Sequence, residues 1–249
     1  MRRLLLINPN TSAAISTLLQ THAQQIAGPQ VQVTVRTARF GAPYIACEAS
    51  YAVAAHATLD AWAAAIAPGQ ERFDSVLIGC FGDPGLLALR QVSQLPVTGL
   101  AEASFIAATQ QRGGFAIVTG GERWKPMLER LAHSLGFGEQ LAGIHTVSET
   151  GAQLAADPLA AQALLARACN HAAQRWGVQT VILGGAGLAG MAALIQTEVA
   201  VPVIDSVGVS VLYALGQGQD QQGAVQSERV FDFAWRGVSE ELARTGVRD

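Results

Sequence analysis

Charge is scarce in this chain. Of its 249 residues only 14% are Asp, Glu, Lys or Arg, the net charge is −3, and no Lys/Arg run occurs. Nucleic acid is bound through clustered cations, so nucleic-acid partners are excluded as an expectation. Cysteine is also sparse. Cys47, Cys80 and Cys169 have neither the even count of a disulfide framework nor the spacing of a metal site. A reducing cytoplasm is the setting this predicts. The five histidines lack metal spacing too, and H-E-x-x-H, C-x-x-C, P-loop and G-x-S-x-G motifs are missing. No metal is therefore expected. No apolar stretch reaches eighteen residues free of turn residues, so no membrane span is expected. The start, Met1 to Asn8, resembles a signal peptide. Its apolar run is only Leu4 to Ile7 before Asn8-Pro9-Asn10, so it reads as a first strand.

Apolar residues are plentiful. At 50% hydrophobic, the chain can bury a sizeable core as one large domain or two small ones. Strand-like runs alternate with helical ones throughout. Leu4–Ile7 is a central-strand run, and Asn10 or Thr11 is placed to cap a helix bearing Ile15, Leu18, Leu19, His22 and Ile26. Strands are expected at 31–36, 75–79, 97–98, 115–118, 144–147, 181–183 and 203–205. Between them, helices are expected at 49–66, 86–92, 102–110, after Gly121, from Pro158 to about Trp176 and over 206–215. A polar surface loop at 216–223 and a last helix at 225–243 complete the reading. The alternation predicts parallel sheets built from βα units.

The chain is organised around Ser75-Val76-Leu77-Ile78-Gly79-Cys80-Phe81-Gly82-Asp83-Pro84-Gly85. A buried strand there delivers a thiol to the rim of a sheet, beside a turn and a helix start. α/β folds bind ligands at that rim. A helix start would also lower a thiol pKa. The stretch repeats 105 residues later as Thr180-Val181-Ile182-Leu183-Gly184-Gly185-Ala186-Gly187, with Gly185 in the place of Cys80. Pro96-Val97 is answered by Pro202-Val203. Two similar half-domains facing across one cleft are expected: residues 1–100 with 206–249, and residues 101–205.

Gly185-Ala186-Gly187-Leu188-Ala189-Gly190, with Asp205 downstream, also fits a dinucleotide-binding fingerprint. It lies in the last third of the chain, the stretch before Pro202 is short for helix plus loop, and the internal repeat explains the glycines. No nucleotide cofactor is expected. Instead, the N–H groups of Phe81 and Gly82, and of Ala186 and Gly187, are placed to hold a carboxylate or enolate oxygen. Asn8, Thr119 and Gly120 end other strands at the same rim. Cys169 shares a helical face with Leu165, Ala172 and Trp176 and reads as core. Glu102 and Asp205 read as helix caps, and His22 and His56 as packing or surface residues.

Four segments carry a resemblance: Leu6–Ser12, Cys80–Gly85, Pro96–Ala103 and Val181–Gly187. Across residues 4 to about 210 the chain resembles the hydantoin racemase branch of the aspartate/glutamate racemase superfamily. The resemblance implies a pseudo-symmetric two-domain α/β fold with its site in the cleft. It also implies an isomerase that moves a proton at a carbon next to a carbonyl, without a cofactor. In that family two cysteines flank the carbon. Cys80 matches the first, whereas Gly185 occupies the position of the second. The substrate class implied is a hydantoin, amino acid or related small carbon acid. Three readings stay open: a racemase served by another group on the second face, a one-cysteine decarboxylase of the arylmalonate type, or a binding protein without turnover. A homo-oligomer is compatible with the sequence.

Overall fold

In the computed structural model, residues 1–111, 113–216 and 234–246 are described. The first sheet contains β1 (Arg2–Asn8), β2 (Val31–Thr37), β3 (Ser75–Ile78) and β4 (Val97–Gly99). It is parallel throughout, in the order β2-β1-β3-β4. Helices α1 (Ala13–Ala27), α2 (Glu48–Ile66) and α3 (Leu86–Val92) connect its strands. Leu4, Leu5, Leu6 and Ile7 are fully buried, because side chains on both faces of a covered parallel strand meet apolar neighbours.

After α4 (Leu100–Thr109) the pattern repeats. The second sheet holds β5 (Phe115–Gly120), β6 (Leu141–Val147), β7 (Val181–Leu183) and β8 (Val203–Asp205), again parallel, in the order β6-β5-β7-β8. Its helices are α5 (Trp124–Ser134), α6 (Gly151–Ala156), α7 (Pro158–Trp176) and α8 (Met191–Ile195), with a 3-10 turn at Ala186–Leu188. The two sheets share one strand order, as the repeat predicts. The fold is therefore a two-part α/β architecture with two parallel sheets flanked by helices.

Helices α4 and α9 (Ser206–Ala214) carry the core from one sheet to the other. α4 packs on β4, β7 and β8, while α9 packs on β3, β4 and β8. One apolar cluster accordingly joins Leu4, Leu6 and Leu77 of the first sheet to Ile117, Ile144 and Ile182 of the second. Phe105 of α4 stacks on Phe115 at its centre, with ring centroids 5.5 Å apart. The short α10 (Glu240–Ala243) returns to α2, and Arg39, which follows β2, pairs with both Glu241 of α10 and Asp60 of α2.

Several expectations are corrected. Ser12, not Asn10 or Thr11, caps α1: its Oγ accepts the Ile15 N–H, while Asn10 turns inward. Residues 234–239 are irregular, so the last helix is only Glu240–Ala243 where it is described; 225–233 and the loop residues 217–223 lie outside the described residues. β3 ends at Ile78 and α3 begins at Leu86, so Cys80 sits in a turn, well short of the helix start. Among the described residues no helix is long and apolar enough to cross a membrane.

Candidate active site

The turn after β3 is held from several sides. The Cys80 carbonyl accepts the N–H groups of Gly82 (2.9 Å) and Asp83 (3.1 Å). Tyr51 of α2 donates its hydroxyl to the Gly82 carbonyl at 2.8 Å. Asp83 adopts φ +49°, unusual for a residue with a side chain. Its buried carboxylate accepts the N–H groups of Ala101 (3.0 Å) and Glu102 (2.8 Å) in the first turn of α4. Gly99 makes room, since a Cβ there would lie 2.3 Å from the carboxylate. The turn bearing Cys80 is thus fastened to the next helix.

Cys80 and Gly185 line one small cavity of about 60 Å³. Phe81, Thr119, Gly120, Ala186 and Gly187, all expected at the site, line it too. The rest of the wall is largely apolar, with Ile15, Pro43, Tyr44, Ile45, Trp124 and Leu188; Asn10 is the further polar side chain, and no charged side chain takes part. The halves meet closely here. A Cβ on Gly184 would come within 2.2 Å of the Phe81 ring, so only glycine permits this approach. Tyr44, from the loop before α2, reaches the other half. Its hydroxyl donates to the Gly120 carbonyl (3.3 Å) and accepts the Trp124 indole N–H (3.2 Å).

Two expected residues stand outside this lining. Asn8 is fully buried and spends its amide inside the chain, donating to Asn10 Oδ1 (3.1 Å), the Ser12 carbonyl (3.1 Å) and Ser16 Oγ (2.9 Å). Asn10, missed by the sequence reading, is the asparagine that lines the cavity. Its Oδ1 accepts from Asn8 and from the Ser12 N–H (2.9 Å), which leaves its NH₂ group turned away from both. Gly82 is likewise not on the wall, and its N–H is already given to Cys80. The Asn-Pro-Asn spacing was the signal available for Asn10.

Electrostatics also departs from expectation. Burial, then the Asp83 carboxylate, pushes the Cys80 thiol above its ordinary pKa instead of lowering it. Asp83 itself is pushed up to about 7 by burial, against the pull of its two N–H partners. Burial raises Tyr51 to about 12. Cys169 is fully buried in the second sheet's core, as expected. Asp205 caps α9 through Val207 and Gly208 N–H, as expected, and Glu102 instead pairs with Arg90. Among the described residues no group of three or more His, Cys, Asp or Glu is arranged to hold a metal ion.

The sequence model of Asp/Glu/hydantoin racemases matches residues 4–214. The chain belongs to that family. It is 32% identical to hydantoin racemase of Pseudomonas sp. (strain NS671) over 209 residues, 84% of this chain and 82% of the relative. Among solved structures, allantoin racemase from Klebsiella pneumoniae covers 99% of both chains at 31% identity, with a TM-score of 0.81. Allantoin racemase from Pseudomonas fluorescens covers 89% of this chain and 95% of its own at 26% identity, with a TM-score of 0.79.

Proposed function

We propose that the chain is a cofactor-independent racemase of an uncharged carbon acid of the cyclic-ureide type, with Cys80 as acid/base. The observation that carries the reading is that Cys80 and Gly185 line one cavity without charged side chains. A free amino acid or a dicarboxylate would enter such a cavity without an opposite charge to meet it, at a cost of several kcal/mol. A hydantoin ring brings only amide-like groups. The Asn10 NH₂ group and the N–H groups of Phe81, Ala186 and Gly187 are the donors for its carbonyl oxygen, where negative charge gathers once the proton leaves. Ala186 and Gly187 open a 3-10 turn, and the first N–H groups of such a turn have no partner within it.

The Cys80 thiolate removes the proton, and the thiol returns one. The raised pKa makes the thiolate rare at neutral pH but a strong base when formed. Racemisation should therefore rise about tenfold per pH unit from pH 7 to pH 9. The test is α-deuterium uptake from heavy water, with loss of optical rotation, for a 5-substituted hydantoin. Cys80→Ala should abolish both; retained turnover refutes the thiol role.

A second reading has one observation in its favour. A protonated thiol opposite a glycine suits one-sided protonation of an enolate formed by loss of CO₂. Carbon dioxide release from an arylmalonate with a single-handed product would establish it. Hydantoin binding with neither reaction would mark a binding protein. We place the protein in the cytoplasm, on its three unpaired thiols.

A further inference from the structure

Gly185 brings no side chain to the cavity that Cys80 also lines. Two hydroxyls lie near Gly185: Ser206 Oγ accepts its N–H at 3.2 Å, and the Thr119 hydroxyl is the one nearest to where a side chain would stand. Thr119 stands near the end of β5, is only 5% exposed and lines the cavity. A Cβ built on Gly185 would have Thr119 Oγ1 at 3.9 Å, with two Leu188 carbons at 3.6 Å as its other near neighbours. The Thr119 hydroxyl has no hydrogen-bond partner among the described residues. The hydroxyl is not sealed inside the protein, so water or a ligand in the cavity can reach it. The gap beside it is the volume that a side chain at 185 would fill.

We propose that Thr119 holds a water molecule in the room left by Gly185, and that this water serves the face of the carbon opposite Cys80. The inference rests on Cys80 being the acid/base, and adds the missing partner. In one direction the Cys80 thiolate takes the proton. The C–H bond breaks, an S–H bond forms, and the electron pair moves into the carbonyl as an enolate. The water then protonates the other face: its O–H bond breaks, a new C–H bond forms and the carbonyl is restored. The hydroxide left behind takes the Cys80 proton through solvent, which regenerates water and thiolate. The opposite enantiomer runs these steps in reverse.

This division has a signature that mere substrate binding lacks. Deuterium uptake with retained configuration needs only the thiol, whereas inversion needs both faces. The informative quantity is the ratio of deuterium uptake to racemisation for one 5-substituted hydantoin in heavy water. Thr119→Val, close in shape but without the hydroxyl, should raise that ratio by roughly tenfold or more, and Thr119→Ser should bring it back. Thr119→Cys, which sets a thiol beside the gap, should lower the ratio below that of the parent. A ratio unchanged in Thr119→Val and Thr119→Cys, with both rates falling together, overturns the inference and makes Thr119 a substrate donor. If Thr119→Val does not fold, Thr119→Ser and Thr119→Cys decide by the same ratio. A parent protein that racemises, but still does so without Cys80, removes the reading beneath it instead.

Discussion

At the scale of single residues, the site turns on groups whose roles come from partners far away in sequence. Asp83 is the clearest. Its folded-state pKa of about 7 lies above that of an exposed carboxylate, so the folded chain keeps a proton that the unfolded chain has released. The contribution of Asp83 to stability is therefore full below about pH 4 and is lost as pH rises through 7, by an amount on the order of 4 kcal/mol. Asp83→Asn should flatten the fall in melting temperature between pH 5 and pH 8, read by calorimetry. It should also bring the Cys80 pKa down by removing a neighbouring negative charge. The sequence singled out Cys80, Phe81, Thr119, Gly120, Ala186 and Gly187, all on the cavity wall. It chose Asn8 over Asn10 because a strand-end pattern does not tell which asparagine the helix claims. That choice is made by Ser12 and Ser16 of the α1 region, which bind the Asn8 amide.

At the scale of elements, hydrophobic runs made the strands readable. Leu4–Ile7, Val76–Ile78, Phe115–Val118 and Val181–Leu183 are buried throughout, and each lies in a strand. The turns were less legible, because tertiary partners fix them. The stretch after β7 is such a case. Asp205 Oδ2 accepts the Gly190 N–H (2.6 Å) and meets His22 Nε2 of α1 (3.1 Å), while Oδ1 caps α9. One carboxylate thus ties α1, α9 and the segment after the 3-10 turn together. Its pKa is lowered by His22 and the backbone N–H groups in spite of burial. Asp205→Ala should cost about 2–4 kcal/mol in urea unfolding, with faster hydrogen exchange at Gly190 than in the strands. The expected helix over 234–239 failed for another reason: Arg236-Gly237-Val238 leads into the Ser239 cap, and Gly237 sits at φ +72°.

At the scale of the whole molecule, the repeated strand order was visible in the 105-residue echo, but the joining of the halves was not. The core crosses between the sheets through α4 and α9, so the two sheets share one apolar cluster while each packs a second cluster of its own. Unfolding should be a single transition, with far-ultraviolet circular dichroism and tryptophan fluorescence superimposing; two separated steps would contradict the shared core. Gly185→Cys tests the facing halves. Space is sufficient, yet Gly185 lies at φ +147°, which costs a side-chain-bearing residue about 1–3 kcal/mol. A lower melting temperature with faster racemisation is expected. That backbone angle makes the position one-sided: an incoming side chain at 185 finds room but a main chain that resists it, so the turn penalises every replacement before its chemistry can count.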